Sequence, residues 1–381
     1  MTTPAPASSN SGLSNSGFSN SGFSNSTAQR LEPITTGAEP EVVGPHLAEV
    51  LYDPRWRDCQ VALISGGKSN LTYRVASDAG EVVLRRPPLG HVLPTAHDMA
   101  REYRVQSALA GSGVPVPRTL YLAGADSVLG APFYLMERVV GHVCRDALPA
   151  GYADSRDQRA AIGDALVATL ARLHVIDPAQ VGLADFGRPE GFLERQLRRW
   201  SRQWDSSKTG DLPALDALRD ELAGTLPPPR PAAIVHGDFR LDNTMLHPVR
   251  PGQIVAVLDW ELSTLGDPLA DLGTTLAYWG QADDDEVLSA ARIMPPVTAS
   301  AAGFPARRAI VERYAELTGF DVTGIGWYQA FAFFKLAVIC QGIARRAAGG
   351  AMLGPGFDDA QDMVEPLVRA GQHVLDGHAD G

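Results

Sequence analysis

Asp238, Asn243 and Asp259 are the residues of this chain whose types and spacing are best suited to chemistry. Asp238 follows a His-Gly pair, Asn243 lies five residues later, and Asp259 ends the apolar run at residues 254–258. A carboxylate at the tip of so apolar a segment is costly to desolvate unless it is paired or bound to a cation. A proton acceptor beside two cation ligands is what the transfer of a phosphoryl group to a hydroxyl requires.

Residues 236–243 have the Asp-x4-Asn spacing of a kinase catalytic loop. In such a loop the aspartate receives the proton of the acceptor hydroxyl and the asparagine holds Mg²⁺. We therefore predict that Asp238 is the catalytic residue and that Asn243 and Asp259 are the metal ligands. A single Asp after a Gly is more often a turn or cap residue, so the prediction depends on the ordered set of three.

The sequence around these residues adds a family resemblance. The segments His236-Gly-Asp-x4-Asn, Leu258-Asp-Trp-Glu and Gly266-Asp-Pro-x2-Asp-Leu resemble motifs of the aminoglycoside phosphotransferase and choline kinase-like family. The resemblance covers about residues 45–375 and implies an α+β, protein kinase-like bilobal fold. In that fold a small antiparallel sheet with one main helix forms one lobe, and the other lobe is larger and mostly helical. ATP, Mg²⁺ and a small-molecule hydroxyl acceptor are implied as well.

Three segments follow along the chain. We predict an ATP-binding N-lobe at residues 45–137 and a C-lobe at residues 138–375, which carries the catalytic loop, the metal and the acceptor site. Residues 1–30 contain a Ser/Asn/Gly repeat of five residues. Such a tract buries too little apolar surface to offset its ordering entropy, so we predict a disordered tail. Docking of its repeated Leu and Phe side chains to a partner is the alternative.

The N-lobe pattern is strand, turn, strand, turn, strand, at residues 61–64, 71–75 and 81–85. Two glycines and small polar residues in the first turn allow the backbone to approach phosphate oxygens closely. An ordinary hairpin turn is the alternative interpretation. With the later motifs in place, we predict that this turn covers the ATP phosphates through Ser65, Gly66, Gly67, Lys68, Ser69 and Asn70.

Arg85 stands where kinases place a lysine on the third strand, against the phosphates. The chain has three lysines, at positions 68, 208 and 335, so this strand has none. We predict that Glu102 tethers Arg85 from the second turn of a helix that opens with a capping-box pattern at residues 95–98 and ends at Leu109. A solvated helix acid is the alternative for Glu102, and Arg86 is the alternative phosphate ligand.

A buried-type strand at residues 132–136 leads into the segment that the resemblance makes the hinge between the lobes. The backbone of Met136, Glu137 and Arg138 is expected to meet the adenine there. In the C-lobe, residues 155–174 carry apolar positions at helical spacing and end in His174. We interpret His174 and His236 as structural histidines.

The family motif after Asp259 contains further acids. Asp267 and Asp271 either brace the catalytic loop or line the site, and bracing is the favoured interpretation. Glu261 lies two residues after Asp259, on the same side of an extended chain, and is expected near the metal. The acidic run at residues 283–286 could attract a cationic acceptor, but a solvated helix N-terminus is favoured.

The sequence says less about the identity of the acceptor than about the catalytic and ATP-binding residues. Residues 85–88 and 262–268 resemble most closely the branch associated with acyl-CoA dehydrogenases, which implies a hydroxyacyl or hydroxyacyl-CoA acceptor more than an aminoglycoside. Helical patterns at residues 305–318 and 326–347 are implied to be walls of the acceptor pocket. The candidate wall residues are Phe331, Phe334, Lys335 and Arg345, and core packing is an equally good explanation for the two aromatic residues. A nucleotide-binding pseudokinase with a regulatory role is the alternative function, and the arginine at position 85 is its support.

Composition excludes several other classes. With 381 residues and 45% hydrophobic content, the chain can form a two-lobed body. Its net charge of −11 and the lack of a Lys/Arg run argue against nucleic acid as a partner. No apolar stretch reaches about 20 residues, so we expect no membrane span. Three widely spaced cysteines indicate reduced thiols and a cytoplasmic protein. The oligomeric state stays open.

Overall fold

The computed structural model describes residues 35–65, 70–89, 97–348 and 360–377. The predicted tail at residues 1–30 lies outside these ranges. So do four residues of the predicted phosphate cover, which are Gly66, Gly67, Lys68 and Ser69. Of Ser65 only the backbone belongs to the described part.

The N-lobe is built on a five-stranded antiparallel sheet. Its strands are β1 (Gln60–Ser65), β2 (Leu71–Ser77), β3 (Gly80–Arg86), β4 (Thr119–Ala123) and β5 (Phe133–Glu137). They pair in the order β1-β2-β3-β5-β4. Helix α1 (Pro40–Val50) buries Val43 and Leu47 in the same apolar cluster as Val75 and Leu84 of the sheet.

Helix α2 (Met99–Leu109) contributes Met99 to a second apolar cluster that contains Val83 and Tyr134. Alternate residues of β3 thus enter different clusters, as the two faces of a strand require. Asp98 is the N-cap of α2, since its side chain accepts a hydrogen bond from the backbone of Arg101. Glu102 therefore lies in the first turn of α2, and the predicted placement in the second turn was wrong.

The C-lobe is mostly helical. Its helices are α3 (Arg156–His174), α4 (Phe192–Ser207), α5 (Pro213–Gly224), α6 (Leu269–Tyr278), α7 (Glu286–Ala290), α8 (Val297–Ser300), α9 (Arg307–Thr318), α10 (Ile325–Ala348) and α11 (Val364–Leu375). Two short antiparallel pairs flank the segments that contain the predicted site residues. They are β6 (Ala233–Val235) with β9 (Thr264–Gly266), and β7 (Thr244–His247) with β8 (Arg250–Val257). The α+β class and the division into a sheet lobe and a helical lobe are as expected.

Several elements have local causes in the sequence. Helix α3 opens with a complete capping box, in which Ser155 and Gln158 each bond the other's backbone N–H. Helix α9 ends at Gly319, whose φ of 70° suits a residue without a side chain. Both helices lie where the apolar periodicity predicts them.

Helix α10 is the central helix of the C-lobe. By length and composition alone its segment Ile325–Ala347 could cross a membrane, but 78% of the apolar window is buried inside the protein. Core helices of globular proteins pass the same test, and α10 packs against α4, α6 and α11. The expectation that the chain has no membrane span stays a prediction.

Gly273 sets how closely α6 and α10 approach. A Cβ added at Gly273 would lie 2.5 Å from the backbone carbonyl carbon of Tyr328, which is closer than real contacts allow. We expect Gly273→Ala to lower the free energy of unfolding by about 1–3 kcal/mol, because the two helices must move apart. Guanidinium denaturation followed by circular dichroism measures this.

The matched control is Gly224→Ala at the end of α5. A Cβ there meets no described atom within 4 Å, and alanine favours helix more than glycine does. We expect unchanged or slightly increased stability for this variant. Equal stability of the wild type and Gly273→Ala would contradict the close packing of α6 on α10.

Candidate functional site

The catalytic loop leaves β6 through a turn that only glycine suits. Gly237 has a φ of 88°, and an added Cβ would lie 2.7 Å from the carbonyl oxygen of Leu262. A larger residue would be strained and would also clash with that backbone. The glycine therefore fixes the direction in which the chain reaches Asp238.

Asp271 of α6 holds this turn from below. Its two carboxylate oxygens accept hydrogen bonds from the backbone N–H groups of His236 (2.6 Å) and Gly237 (2.7 Å). The Nε2 atom of His174 lies 3.2 Å from the same carboxylate, and its Nδ1 atom lies 2.7 Å from the hydroxyl of Tyr314. Burial alone would raise the pKa of Asp271, but these donors hold it below its ordinary value. Asp271 has the predicted bracing role.

His236 connects the catalytic loop to the end of β8. Its Nε2 atom lies 2.8 Å from the carbonyl oxygen of Leu258, and its Nδ1 atom accepts the backbone N–H of Asp238 at 3.3 Å. These partners require a neutral ring with the proton on Nε2. Because Leu258 precedes Asp259, this side chain helps to set the distance between the predicted catalytic residue and a predicted metal ligand, together with the backbone bond from the N–H of Leu258 to the carbonyl oxygen of Asn243.

Asp238 is a partly exposed carboxylate with several donors around it. Asn243 Nδ2 donates to its Oδ2 atom (2.9 Å) and to its backbone oxygen (2.8 Å). Arg240 Nε donates to the same Oδ2 atom at 3.2 Å. Burial would raise the pKa of Asp238, but the charges of Arg240 and Lys335 and the amide of Asn243 lower it overall. The side chain is therefore an ionised acceptor at neutral pH.

Arg240 is a site residue to which the sequence analysis gave no role. Its NH1 atom pairs with Asp242 at 3.0 Å, and its guanidinium carbon lies 4.4 Å above the ring of Tyr278. Its position two residues after Asp238 was the available signal. Lys335, predicted only as a pocket wall, donates from Nζ to the carbonyl oxygen of Gly237 at 2.8 Å.

Asp259 has a left-handed backbone conformation, with φ of 64° and ψ of 61°. Non-glycine residues rarely adopt this conformation, and where they do it often marks a functional site. One third of its side chain is exposed, and its Oδ1 atom lies 2.5 Å from NH2 of Arg85. The conformation turns the carboxylate toward the N-lobe, where the predicted phosphate ligand lies.

Arg85 is held from three sides. Its Nε atom pairs with Glu102 at 2.8 Å, and its NH1 atom donates to the hydroxyl of Thr72 at 3.2 Å. Glu102 is 1% exposed and also accepts the hydroxyl of Tyr134 at 3.1 Å. Burial raises the pKa of Glu102 despite the neighbouring Arg85. The predicted tether is thus formed, and Glu102 is not a solvated helix acid.

Arg86, the alternative phosphate ligand, lies on the other face of β3. Its guanidinium donates to the backbone oxygens of Gly37 and Pro87, away from Asp259. Successive residues of a strand point to opposite faces, so Arg85 and Arg86 cannot both face the site. The structure thus favours Arg85 over Arg86 as the candidate phosphate ligand.

Asn70 is the one residue of the predicted phosphate cover whose side chain is described. It is 2% exposed, and its Nδ2 atom donates to Glu102 at 2.6 Å and to Glu261 at 3.4 Å. Its Oδ1 atom lies 2.8 Å from Nδ1 of His97. The side chain thus links the lobes beside Arg85, which leaves the backbone of Asn70 for the predicted contact with phosphate.

The predicted hinge has an apolar inner surface. Met136 pairs with Val83 across β5 and β3, and both are under 9% exposed. Val83 lies two residues before Arg85 and so faces the same side, a signal that the sequence analysis missed. Glu137 and Arg138 form ion pairs with Arg118 and Glu81, respectively. Their side chains therefore do not line this surface.

The acidic run at residues 283–286 has a structural explanation. Asp284 is buried and pairs with Arg307 (2.6 Å) and Arg292 (2.8 Å). Asp285 caps α7, because its carboxylate accepts the backbone N–H of Leu288 at 2.9 Å. The helix N-terminus interpretation is thus correct for Asp285, and Asp284 belongs to a buried ion-pair network.

Two cavities flank the catalytic loop. The first, which we call the α6–α10 pocket, encloses about 710 Å³ including space open to solvent, and Arg240, Asp242 and Tyr278 lie in its wall. The second, the α4–α10 pocket, encloses about 560 Å³ and includes Phe331 and Lys335. Of the other predicted wall residues, Phe334 is fully buried, and Arg345 is exposed in the last turn of α10.

Comparison with known proteins identifies relatives of this chain. Residues 60–304 match the model of the Phosphotransferase enzyme family. Acyl-CoA dehydrogenase family member 10 from Mus musculus is 37% identical over 79% of this chain and 28% of the relative. Acyl-CoA dehydrogenase family member 11 from Homo sapiens is 33% identical over 82% of this chain and 39% of the relative. The chain thus spans well under half the length of these two proteins.

Solved structures agree with this result. A candidate aminoglycoside phosphotransferase from Ralstonia eutropha is 34% identical with a TM-score of 0.75, over 89% of this chain and 98% of that chain. An aminoglycoside phosphotransferase in complex with AMP-PNP and hygromycin B is 17% identical with a TM-score of 0.56, which shows the fold alone. The predicted kinase-like fold is confirmed, and the chain belongs to the phosphotransferase enzyme family.

Proposed function

We propose that this protein transfers the γ-phosphoryl group of ATP to a hydroxyl of a small molecule. The observation that carries the proposal is the arrangement of Asp238, Asn243 and Asp259. An ionised Asp238 beside the amide of Asn243 can orient an acceptor hydroxyl and receive its proton. Asp259 follows Leu258, whose carbonyl oxygen accepts the hydrogen bond from His236. Membership of the phosphotransferase family supports the same reaction.

The residues present fit Mg²⁺. Asn243 directs its amide nitrogen at Asp238, so its oxygen lies on the other branch of the side chain. An amide oxygen and the carboxylate of Asp259 are hard ligands, and Mg²⁺ sites commonly combine one or two carboxylates with substrate phosphates. When bound, the ion supplies charge that offsets the phosphate oxygens.

Arg85 is the proposed ligand of the ATP phosphates in place of a lysine. Its contacts with Glu102, Thr72 and Asp259 use three of the five guanidinium N–H groups. Two therefore remain for phosphate oxygens. A fixed guanidinium presents these donors in a planar fork, which suits phosphate. Val83 and Met136 supply an apolar surface for the adenine on the same side of the sheet.

A hydroxyacyl or hydroxyacyl-CoA acceptor agrees better with the surroundings of Asp238 than an aminoglycoside does. Arg240 and Lys335 place positive charge beside the carboxylate of Asp238. Because the carboxylates of Asp238 and Asp242 are balanced by these two cations, a polycationic acceptor finds no excess negative charge around Asp238. Asp284 forms ion pairs with Arg292 and Arg307. The similarity to acyl-CoA dehydrogenase family members supports the same class.

A nucleotide-binding pseudokinase is the second candidate. The favouring observation is the ion pair between Arg85 and Asp259, which ties the predicted metal ligand to the N-lobe. The ionised and hydrogen-bonded Asp238 argues against it, because a binding module needs no proton acceptor.

Replacing Asp238 tests the reaction. We expect Asp238→Asn to lower the turnover number by about a hundredfold to ten-thousandfold, since the proton acceptor is lost while the shape is kept. ADP release is measured with Mg-ATP and a panel of hydroxyacyl-CoAs, aminoglycosides, choline and sugars. Asp164→Asn, an exposed acid on α3 paired with Arg313, is the control and should keep full activity. ATP binding without turnover on any acceptor would favour the pseudokinase.

Replacing Arg85 tests nucleotide binding. We expect Arg85→Ala to raise the Michaelis constant for ATP about tenfold or more, because charged hydrogen bonds to phosphate are lost. Arg85→Lys should recover part of the loss. Arg55→Ala removes an exposed N-lobe arginine paired with Asp53 and serves as the control. If Arg85→Ala changes neither the Michaelis constant nor the turnover number, the assignment of β3 is wrong.

A further inference from the structure

The α6–α10 pocket lies on the far side of Arg240 from Asp238. The guanidinium of Arg240 contacts the carboxylate of Asp238 through Nε and lies 3.9 Å from the sulfur of Met294 through NH1. Arg240 and Met294 both belong to the pocket wall. A molecule whose hydroxyl contacts Asp238 would therefore be separated from this pocket by the side chain of Arg240.

The body of the pocket is apolar. Beyond the catalytic loop its wall contains aliphatic and aromatic side chains from α7, α8, α10 and the intervening segments, namely Leu288, Ala291, Ile293, Val297, Phe333 and Leu336. Its wall also includes Arg292 and Arg307, which share the one buried carboxylate of Asp284. The aliphatic side chains favour a hydrocarbon chain over a sugar, and two guanidinium groups against one carboxylate disfavour an amine.

The mouth of the pocket has the opposite character. Arg145 and Arg240 lie there with Asp242, whose carboxylate pairs with Arg240 at 3.0 Å. The guanidinium of Arg240 also stacks on Tyr278. Guanidinium groups at this end and apolar side chains elsewhere in the wall suit a ligand with an anionic end and an alkyl end.

The other cavity fits this ligand less well. The α4–α10 pocket touches the catalytic loop at Gly237, and there the carbonyl oxygen already accepts the Nζ donor of Lys335. Its wall also includes Asp271, which is committed to the loop backbone. No residue from 238 to 243 lies in its wall. The α6–α10 pocket is therefore favoured, because Arg240 in its wall contacts Asp238 directly.

We propose that the α6–α10 pocket binds an unbranched alkyl chain of the acceptor and that Ala291 and Ile293 limit the length of that chain. The proposal rests on the proposed phosphotransfer to a hydroxyacyl compound, because it concerns the part of the acceptor that does not react. Ala291 is nearly fully buried at the wall, and Ile293 is half-buried, so each can be changed with a different effect. A larger residue at position 291 shortens the pocket, and a polar one at position 293 makes it less apolar.

Binding of simple carboxylates tests the pocket without any reaction. Isothermal titration calorimetry of the full chain is carried out with butanoate, hexanoate and octanoate. For the wild type we expect the dissociation constant to fall about fourfold for each added methylene group until the pocket is full. Ala291→Leu should weaken octanoate about tenfold or more and leave butanoate nearly unchanged, because one added side chain removes the space of several methylenes.

A second variant and a matched control keep the test independent of folding. Ile293→Gln should reduce the gain per methylene, and its half-buried position makes unfolding less of a risk. Val311→Gln alters a half-buried aliphatic residue of α9 outside the pocket wall and should keep the wild-type gradient. Thermal melting of each variant identifies any that has lost its fold.

The outcomes separate this proposal from the proposed function. A chain-length gradient that Ala291→Leu removes, without turnover of any hydroxyacyl compound, would support the pocket and overturn the reaction. Turnover of hydroxyacyl compounds with no gradient, or with a gradient that neither Ala291→Leu nor Ile293→Gln changes, would overturn the pocket. If the protein has both the proposed activity and the proposed alkyl pocket, Ala291→Leu should raise the Michaelis constant for long acceptors and leave the Michaelis constant for ATP unchanged.

Discussion

The carboxylate of Asp271 is the constraint on which the candidate site depends. It lies inside the C-lobe and accepts two backbone N–H groups from the turn that precedes Asp238. Leaving such buried donors without an acceptor costs about 1–3 kcal/mol each, so the turn has one stable position. His174 and Tyr314 continue the network into α3 and α9, and the helical lobe thereby positions the catalytic loop.

His236 connects this turn to the end of β8. The ring joins the backbone of Asp238 to that of Leu258 and so connects the two halves of the site. The N-lobe then attaches through charge, since Arg85 reaches Asp259 and Asn70 reaches Glu261. Polar contacts at the site thus join the lobes, and so does the apolar side of α2, where Val105 and Leu109 belong to the apolar cluster of the C-lobe.

The sequence predicts the features that depend on residues close to one another in the chain. The catalytic loop spacing, the capping box of α3 and the strand alternation that separates Arg85 from Arg86 are all local patterns. Lys335 lies 98 residues from its partner Gly237, and no local pattern could have paired them. Glu102 was placed one turn too late because the helix begins at its cap, Asp98, and the predicted opening at residue 95 lies outside the described chain. Arg240 was missed because its stacking on Tyr278 exists only in the folded lobe.

The charges around Asp238 connect the reaction to the choice of acceptor. A proton acceptor for a kinase must be ionised, and here burial opposes ionisation while Arg240 and Lys335 favour it. These cations also balance the carboxylates of Asp238 and Asp242, so the surroundings of Asp238 offer a polycation no excess negative charge. Under the proposed function, an anionic acceptor would meet Arg240 and place its uncharged part among the apolar side chains of the α6–α10 pocket. The proposed choice of acceptor thus depends on the same cations that keep Asp238 ionised.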